Sequence, residues 1–101
     1  MLVFNNNQFG TIRMHQERAY PWRVSGTQVT NPDFSKLIQA FGGHGEVVTE
    51  TAEFTPAFQR AAASGKPAII ELRMNPDQIT TRATVADMRA GKTPPPAYRG
   101  E

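Results

Sequence analysis

Between Lys66-Pro67 and Asn75-Pro76 lies Ala68-Ile69-Ile70-Glu71-Leu72-Arg73-Met74, a nearly continuous run of apolar and β-favouring residues. A strand patterned this way, without strict alternation of apolar and polar residues, is covered on both faces, which is the situation of a parallel strand flanked by helices. Any fold open to this chain must therefore place helices on both sides of a small sheet.

The helices are visible. Phe34, Leu37, Ile38 and Phe41 fall on one face at helical spacing, Gly42-Gly43 ends the run, and Asn31 is the expected cap, with Pro32 in the first turn and Asp33 near the positive end. A second amphipathic segment, Thr51 to Ser64, carries Phe54, Phe58, Ala61 and Ala62 on its inward side, with Thr51 as the expected cap and Pro56 weakening the first turn. Thr11 to Ala19 reads as a helix that stops before Tyr20-Pro21, and Thr84 to Ala90 as a short one ended by Gly91. Met1 to Phe4 and Glu46 to Thr49 are the other strands. The order strand, helix, helix, strand, helix, strand predicts an α/β fold with right-handed crossovers: a small three-layer α/β/α partial domain, its mostly parallel sheet made of about three strands with three to four helices. That domain is expected over residues 1–91, and 92–101, with Pro94-Pro95-Pro96, as a mobile tail. The phenylalanines at 34, 41, 54 and 58 are expected in the core.

With 101 residues and 39% hydrophobic content, one modest domain is the expectation, and the absence of cysteine rules out a disulfide framework or a thiolate metal site. The net charge is +2, but Lys and Arg are scattered without a basic block or a cationic helix face, so no nucleic-acid partner is expected. The apolar runs are far shorter than the roughly twenty residues of a membrane span, and no signal peptide is apparent, so a cytoplasmic, membrane-free protein is the default.

The candidate chemistry lies where the first strand ends. Met1-Leu2-Val3-Phe4 runs into Asn5-Asn6-Asn7, followed by Gln8-Phe9-Gly10-Thr11-Ile12. Amide side chains at the carboxyl end of a parallel strand, ahead of a glycine and a helix, occupy the crevice in which open α/β sheets bind ligands. The plainer reading is a polar turn, since asparagine bonds its own backbone and tolerates turn conformations. His15 and His44 have no partner at ligand spacing, so His44 reads as a loop residue and His15 as a pocket wall or surface residue. Glu17, Glu46, Glu50 and Glu53 form no evident catalytic pair and read as solvated.

Three stretches in this order resemble one family. Phe4-Asn5-Asn6 with Phe9-Gly10-Thr11-Ile12-Arg13-Met14-His15-Gln16, then Asn31-Pro32-Asp33-Phe34 to Ala40-Phe41-Gly42, and Ser64-Gly65-Lys66-Pro67-Ala68-Ile69-Ile70-Glu71 resemble the C-terminal part of the cofactor-binding domain of thiamine-diphosphate-dependent enzymes. The likeness is to the acetolactate synthase, glyoxylate carboligase and decarboxylase superfamily. It implies thiamine diphosphate and Mg²⁺ as cofactors, with Asn5, Asn6, Gln8, Gly10, Thr11 and Ile12 on the cofactor. The metal would be held by the Asn6 side-chain oxygen and the Gln8 carbonyl, and Thr11 and His15 would lie towards substrate. In that family the motif opens with Gly-Asp-Gly, which this sequence lacks, and another domain supplies an activating glutamate. The resemblance thus implies half a site, not catalytic alone. Its other half would come from a missing upstream part or a separate chain of a split enzyme, or the chain would serve as a self-associating homo-oligomeric module.

Overall fold

The run that demanded two covered faces is the central strand. In the computed structural model, which describes residues 1–92, β3 (Ala68–Arg73) pairs in parallel with both β1 (Leu2–Asn5) and β2 (His44–Val48), in the order β1-β3-β2. Four α-helices accompany them among the described residues: α1 (Gly10–Ala19), α2 (Phe34–Ala40), α3 (Phe54–Ala63) and α4 (Val85–Arg89). The expected α/β architecture with a three-stranded parallel sheet is what forms. The proline-rich tail lies outside the described residues. None of the helices described is long and apolar enough to cross a membrane.

The chain divides into two compact units, one of Met1–Asn5 with Asn31–Met74, the other of Asn6–Thr30 with the described part of Asn75–Glu101. The first holds the sheet. Ile70 on β3 is aligned with Leu2 of β1 and Glu46 of β2, so alternate residues of the three strands share a face. On that face Ile70 packs with Val48 and with Ala57 and Ala61 of α3. Burying an isoleucine side chain, here 2% exposed, contributes about 1.5–3 kcal/mol.

The opposite face receives α2, which comes close because β2 carries glycine. A Cβ built on Gly45 would lie 2.3 Å from the Ser35 carbonyl oxygen, so any larger residue would have to push the helix backbone away. α2, sheet and α3 are therefore three layers within this unit.

Several local expectations are corrected. Asp33, not Asn31, caps α2, its carboxylate accepting from the Lys36 N–H at 3.1 Å, while the Asn31 amide bonds Asn5 instead. Glu50, not Thr51, caps the following turn, a 3₁₀ stretch over Thr51–Glu53 in which Glu50 and Glu53 bond each other's backbone reciprocally. His44 opens β2, with its ring nitrogen 2.8 Å from Glu46, and Glu46 is gripped by Arg60, so neither is a free surface group. Phe34 and Phe54 are half-buried, but Phe41 is 81% and Phe58 51% exposed. Phe41 is the residue just beyond the last turn of α2. α3 lies on β2 and β3, which leaves Phe58, with Leu2 and Phe4 of β1, uncovered.

In the second unit α1 packs on α4, which Thr84 caps in a reciprocal box with Asp87.

Candidate functional site

β1 delivers Asn5 to the carboxyl end of the sheet, where its side chain is 8% exposed and fully engaged in structure. The Asn5 Nδ2 donates to Glu71 at 3.4 Å, and its Oδ1 accepts from the Asn31 amide at 2.7 Å. Glu71, itself 3% exposed, also accepts from Arg73 Nε at 3.2 Å. A buried carboxylate without such donors would be strongly disfavoured, so the asparagine and the arginine hold it in place and it holds them. The first asparagine of the run is thus the anchor of the strand end within the first unit.

The second unit begins with Asn6, and its loop is built around amides. Asn7 adopts φ +56°, a left-handed conformation that asparagine enters more readily than most residues. The reversal brings the Gln8 N–H to 3.2 Å from Asn6 Oδ1, an Asx turn. Gln8 faces Gln28 in an isolated antiparallel bridge, but the two hydrogen bonds flanking it run from Phe9 N–H to the Thr27 carbonyl and from Val29 N–H to the Asn7 carbonyl. In such a pair the central residue points its own N–H and C=O away from its neighbour. The Gln8 N–H goes to Asn6, and its carbonyl has no hydrogen-bond partner among the described residues.

Gly10 then opens α1. A Cβ on Gly10 would lie 3.0 Å from Asn6 Nδ2, so the missing side chain is what lets the amide rest over the helix start. Gly10, Thr11 and Ile12 form the first turn, over which Phe9 places no side-chain acceptor. Such a terminus favours an anion, because its N–H groups and the helix dipole both point outward. Thr11 and His15, one helical turn apart and so on one face, are exposed, as is Ile12 at 53%. The residues expected at the site therefore fall into three places: Asn6 and Gln8 in one loop, Gly10, Thr11, Ile12 and His15 on α1, and Asn5 in the sheet unit.

Sequence reasoning missed the scaffold behind the loop. Arg13 Nη1 donates to Gln8 Oε1 at 2.9 Å, and the Gln8 side-chain amide donates to the Pro76 carbonyl. Behind Arg13 stands Glu17, expected to be solvated and in fact 0% exposed. It accepts from the Trp22 N–H at 3.0 Å and from Arg89 through both Nε and Nη2, and lies 3.7 Å from Arg13 Nε. Burial pushes the Glu17 carboxyl up, but the Arg89 and Trp22 hydrogen bonds, with the charges of Arg89 and Arg13, outweigh it and hold the group below the usual carboxylate range. The Arg89 guanidinium also lies 5.0 Å above the Trp22 ring. Only the Arg13–Glu17 spacing of four residues offered a sequence signal. No cluster of three or more His, Cys, Asp or Glu suited to a metal occurs among the described residues.

Residues 1–72 match the family model described as thiamine pyrophosphate enzyme, C-terminal TPP binding domain. Among curated proteins, the chain is 33% identical over 75 residues to the acetolactate synthase large subunit of Mycobacterium tuberculosis, covering 74% of this chain and 14% of that protein. It is 29% identical over 91 residues to the mitochondrial acetolactate synthase catalytic subunit of Saccharomyces cerevisiae, covering 90% of this chain and 12% of that one. A sulfoacetaldehyde acetyltransferase of Alcaligenes xylosoxydans is 31% identical over 75 residues, 70% of this chain and 12% of the enzyme. The chain thus spans 12–14% of the length of these relatives. With residues 1–72 matched, well over half of its length, it belongs to the family of C-terminal TPP-binding domains of thiamine pyrophosphate enzymes.

Proposed function

We propose that the Asn6–Gln8 loop is the protein share of a Mg²⁺ site that anchors the diphosphate of thiamine diphosphate, in an enzyme of the acetolactate synthase type acting as a carboligase or decarboxylase. One observation carries the reading. A single Asx turn sets the Asn6 side-chain oxygen and a carbonyl with no competing donor among the described residues, that of Gln8, in one loop. Asn6 Oδ1 spends one lone pair on the Gln8 N–H and keeps the other. Mg²⁺ takes hard oxygen ligands and is commonly held by a few protein groups together with phosphates. Two neutral donors suit a site where the diphosphate supplies the negative charge.

Asn6 and Gln8 would hold the ion, the first-turn N–H groups at Gly10, Thr11 and Ile12 would face the anionic group, and Thr11 and His15 would border the substrate. Asn5 would support the site through the strand end. When bound, thiamine diphosphate supplies the carbanion chemistry, and the polypeptide binds and orients it. The anionic protein ligand and the activating glutamate of the family would come from another polypeptide segment, whether of a parent enzyme or of a split partner.

Isothermal titration of the full chain tests this reading. Mg²⁺ and thiamine diphosphate together should give a saturable isotherm with Kd tighter than about 1 mM, and either one alone should bind more weakly. Lack of heat with both present at millimolar concentrations would remove it.

A second reading, self-association, is favoured by β1. Among the described residues it is an edge strand of the sheet, and Leu2, Phe4 and Met74, which border an apolar groove of about 480 Å³ with Val48, Phe54 and Leu72, are 41%, 66% and 44% exposed. An uncapped edge beside exposed apolar groups is a template for another strand. Sedimentation velocity should show a concentration-dependent dimer that Phe4→Lys suppresses. A strictly monomeric protein at high concentration would exclude this reading.

A further inference from the structure

We infer that Arg13 is a positioning residue that fixes the Asn6–Gln8 loop in its cation-ready form by gripping the Gln8 side chain. The inference rests on the proposed Mg²⁺ site for its functional meaning, but its structural half stands on contacts within the second unit.

Gln8 contributes nothing but its backbone carbonyl to the proposed site, and a backbone oxygen points where the residue's ψ angle sends it. The bridge to Gln28 sets part of that direction, because the Phe9 N–H that donates to the Thr27 carbonyl at 2.8 Å shares a planar peptide with the Gln8 carbonyl and turns it away from Gln28. The Asx turn holds the N–H side of the residue. Both of these bonds act on the backbone of a short loop, and the side chain adds the tie that keeps the loop from shifting, because it is clamped at both ends: its Oε1 accepts from Arg13 Nη1 at 2.9 Å and its Nε2 donates to the Pro76 carbonyl. Arg13 can act as a clamp because it is itself held. Its side chain is only 17% exposed, lies 3.7 Å from the buried Glu17 carboxylate and places Nη2 3.7 Å from Asp77. Its Nε is buried without a hydrogen bond, so the guanidinium depends on these two charges and has little freedom to turn away.

Arginine differs here from lysine in a way that can be measured. The guanidinium reaches Gln8, Glu17 and Asp77 at once through separate nitrogens, whereas an ammonium presents one point of charge. Groups that orient a metal ligand without touching the metal commonly change affinity by about 10–100-fold when removed.

The test uses the full chain with Arg13→Met, Arg13→Lys and Gln8→Met, the last keeping the carbonyl donor while losing the clamp. Two readouts are taken: Mn²⁺ affinity in the presence of thiamine diphosphate, and hydrogen exchange at the Gln8 amide in the protein without ligands. The expected result is a loss of Mn²⁺ affinity of about tenfold or more in Arg13→Met, a smaller loss in Arg13→Lys, and exchange at Gln8 accelerated in the same order. Arg13→Met and Gln8→Met should each cost nearly as much as the pair, because they remove one interaction from its two ends. Affinity within twofold of the parent in Arg13→Met, or fully additive effects of the two methionine variants, overturns the inference. If the parent chain binds no Mn²⁺, the proposed function fails instead, and exchange at Gln8 decides alone: acceleration upholds the clamp, and an unchanged rate overturns it. Should Arg13→Met not fold, Gln8→Met and Arg13→Lys carry the same comparison.

Discussion

Replacing Glu17 with glutamine should destabilise the second unit by about 3–5 kcal/mol, because it removes one partner of a buried charge cluster and leaves the other charges uncompensated. The side chain is 0% exposed and is the shared acceptor of Arg89, the Trp22 N–H and, through charge, Arg13. A loss of this size is a large fraction of the 5–15 kcal/mol that stabilises a typical domain. For a domain this small each kcal/mol moves the melting temperature by about 4–8 °C, so the variant should melt far below the parent at neutral pH. The pH dependence follows from the same group. Its folded pKa lies below the ordinary glutamate value of 4.5, so the stabilisation is fully present above that value and is lost as pH falls through the folded pKa. The parent should therefore lose stability on acidification below about 4.5. Glu17→Gln, which has nothing to protonate at this site, should lose less over the same range. Glu46, Glu53 and Asp87 are also lowered, by their own hydrogen bonds, so the variant keeps part of the slope. Parent and variant melting together at neutral pH would mean that water, not Glu17, balances Arg13 and Arg89.

That cluster also marks the limit of what the sequence discloses. Ala68–Arg73 could be recognised as a central parallel strand because its pattern is local and only one sheet environment covers both faces. The ends of α4 were equally legible, since Thr84 and Gly91 act within one turn of the helix. Glu17 was not, because its main partner lies 72 residues away and no periodicity connects them. The α2 cap moved from Asn31 to Asp33 for a related reason: Asn31 had a stronger claim on it from Asn5, 26 residues upstream. Phe41 and Phe58 show a different gap. Helical spacing tells which face seeks cover, but only the assembled layers tell whether cover exists. At the site, the amide run was legible through family likeness, and Gly10 through its place after the loop. The clamp of Arg13 on Gln8 was legible only in half, as the spacing that pairs Arg13 with Glu17.

Asn6→Ala should weaken the combined binding of Mg²⁺ and thiamine diphosphate by about 100-fold, at or beyond the upper end of effects from residues that act at one remove from a metal. The substitution takes away a ligand oxygen and, with it, the acceptor that turns the Gln8 N–H, so both proposed donors are disturbed by one change. Asn6→Ser separates the two effects. Its hydroxyl can still cap the Gln8 N–H, as serine does in turns, but it is one atom shorter and cannot place an oxygen where the amide did. If coordination dominates, serine binds as poorly as alanine; if turn geometry dominates, it recovers much of the affinity. Asn5→Ala is the informative control, because its neighbour's chemistry is so different. Asn5 is buried against Glu71 and Asn31, and its loss strips a donor from a buried carboxylate, a cost of about 1–3 kcal/mol in stability. The two asparagines should therefore separate in the calorimeter and the melting curve. Asn6→Ala should change affinity with little change in melting temperature, and Asn5→Ala should lower the melting temperature before it changes affinity. Affinity unmoved by Asn6→Ala would place the cation on other atoms. Asn5→Ala losing affinity at unchanged stability would shift the ligand role one residue towards the strand, where the structure has that side chain already engaged with Glu71 and Asn31.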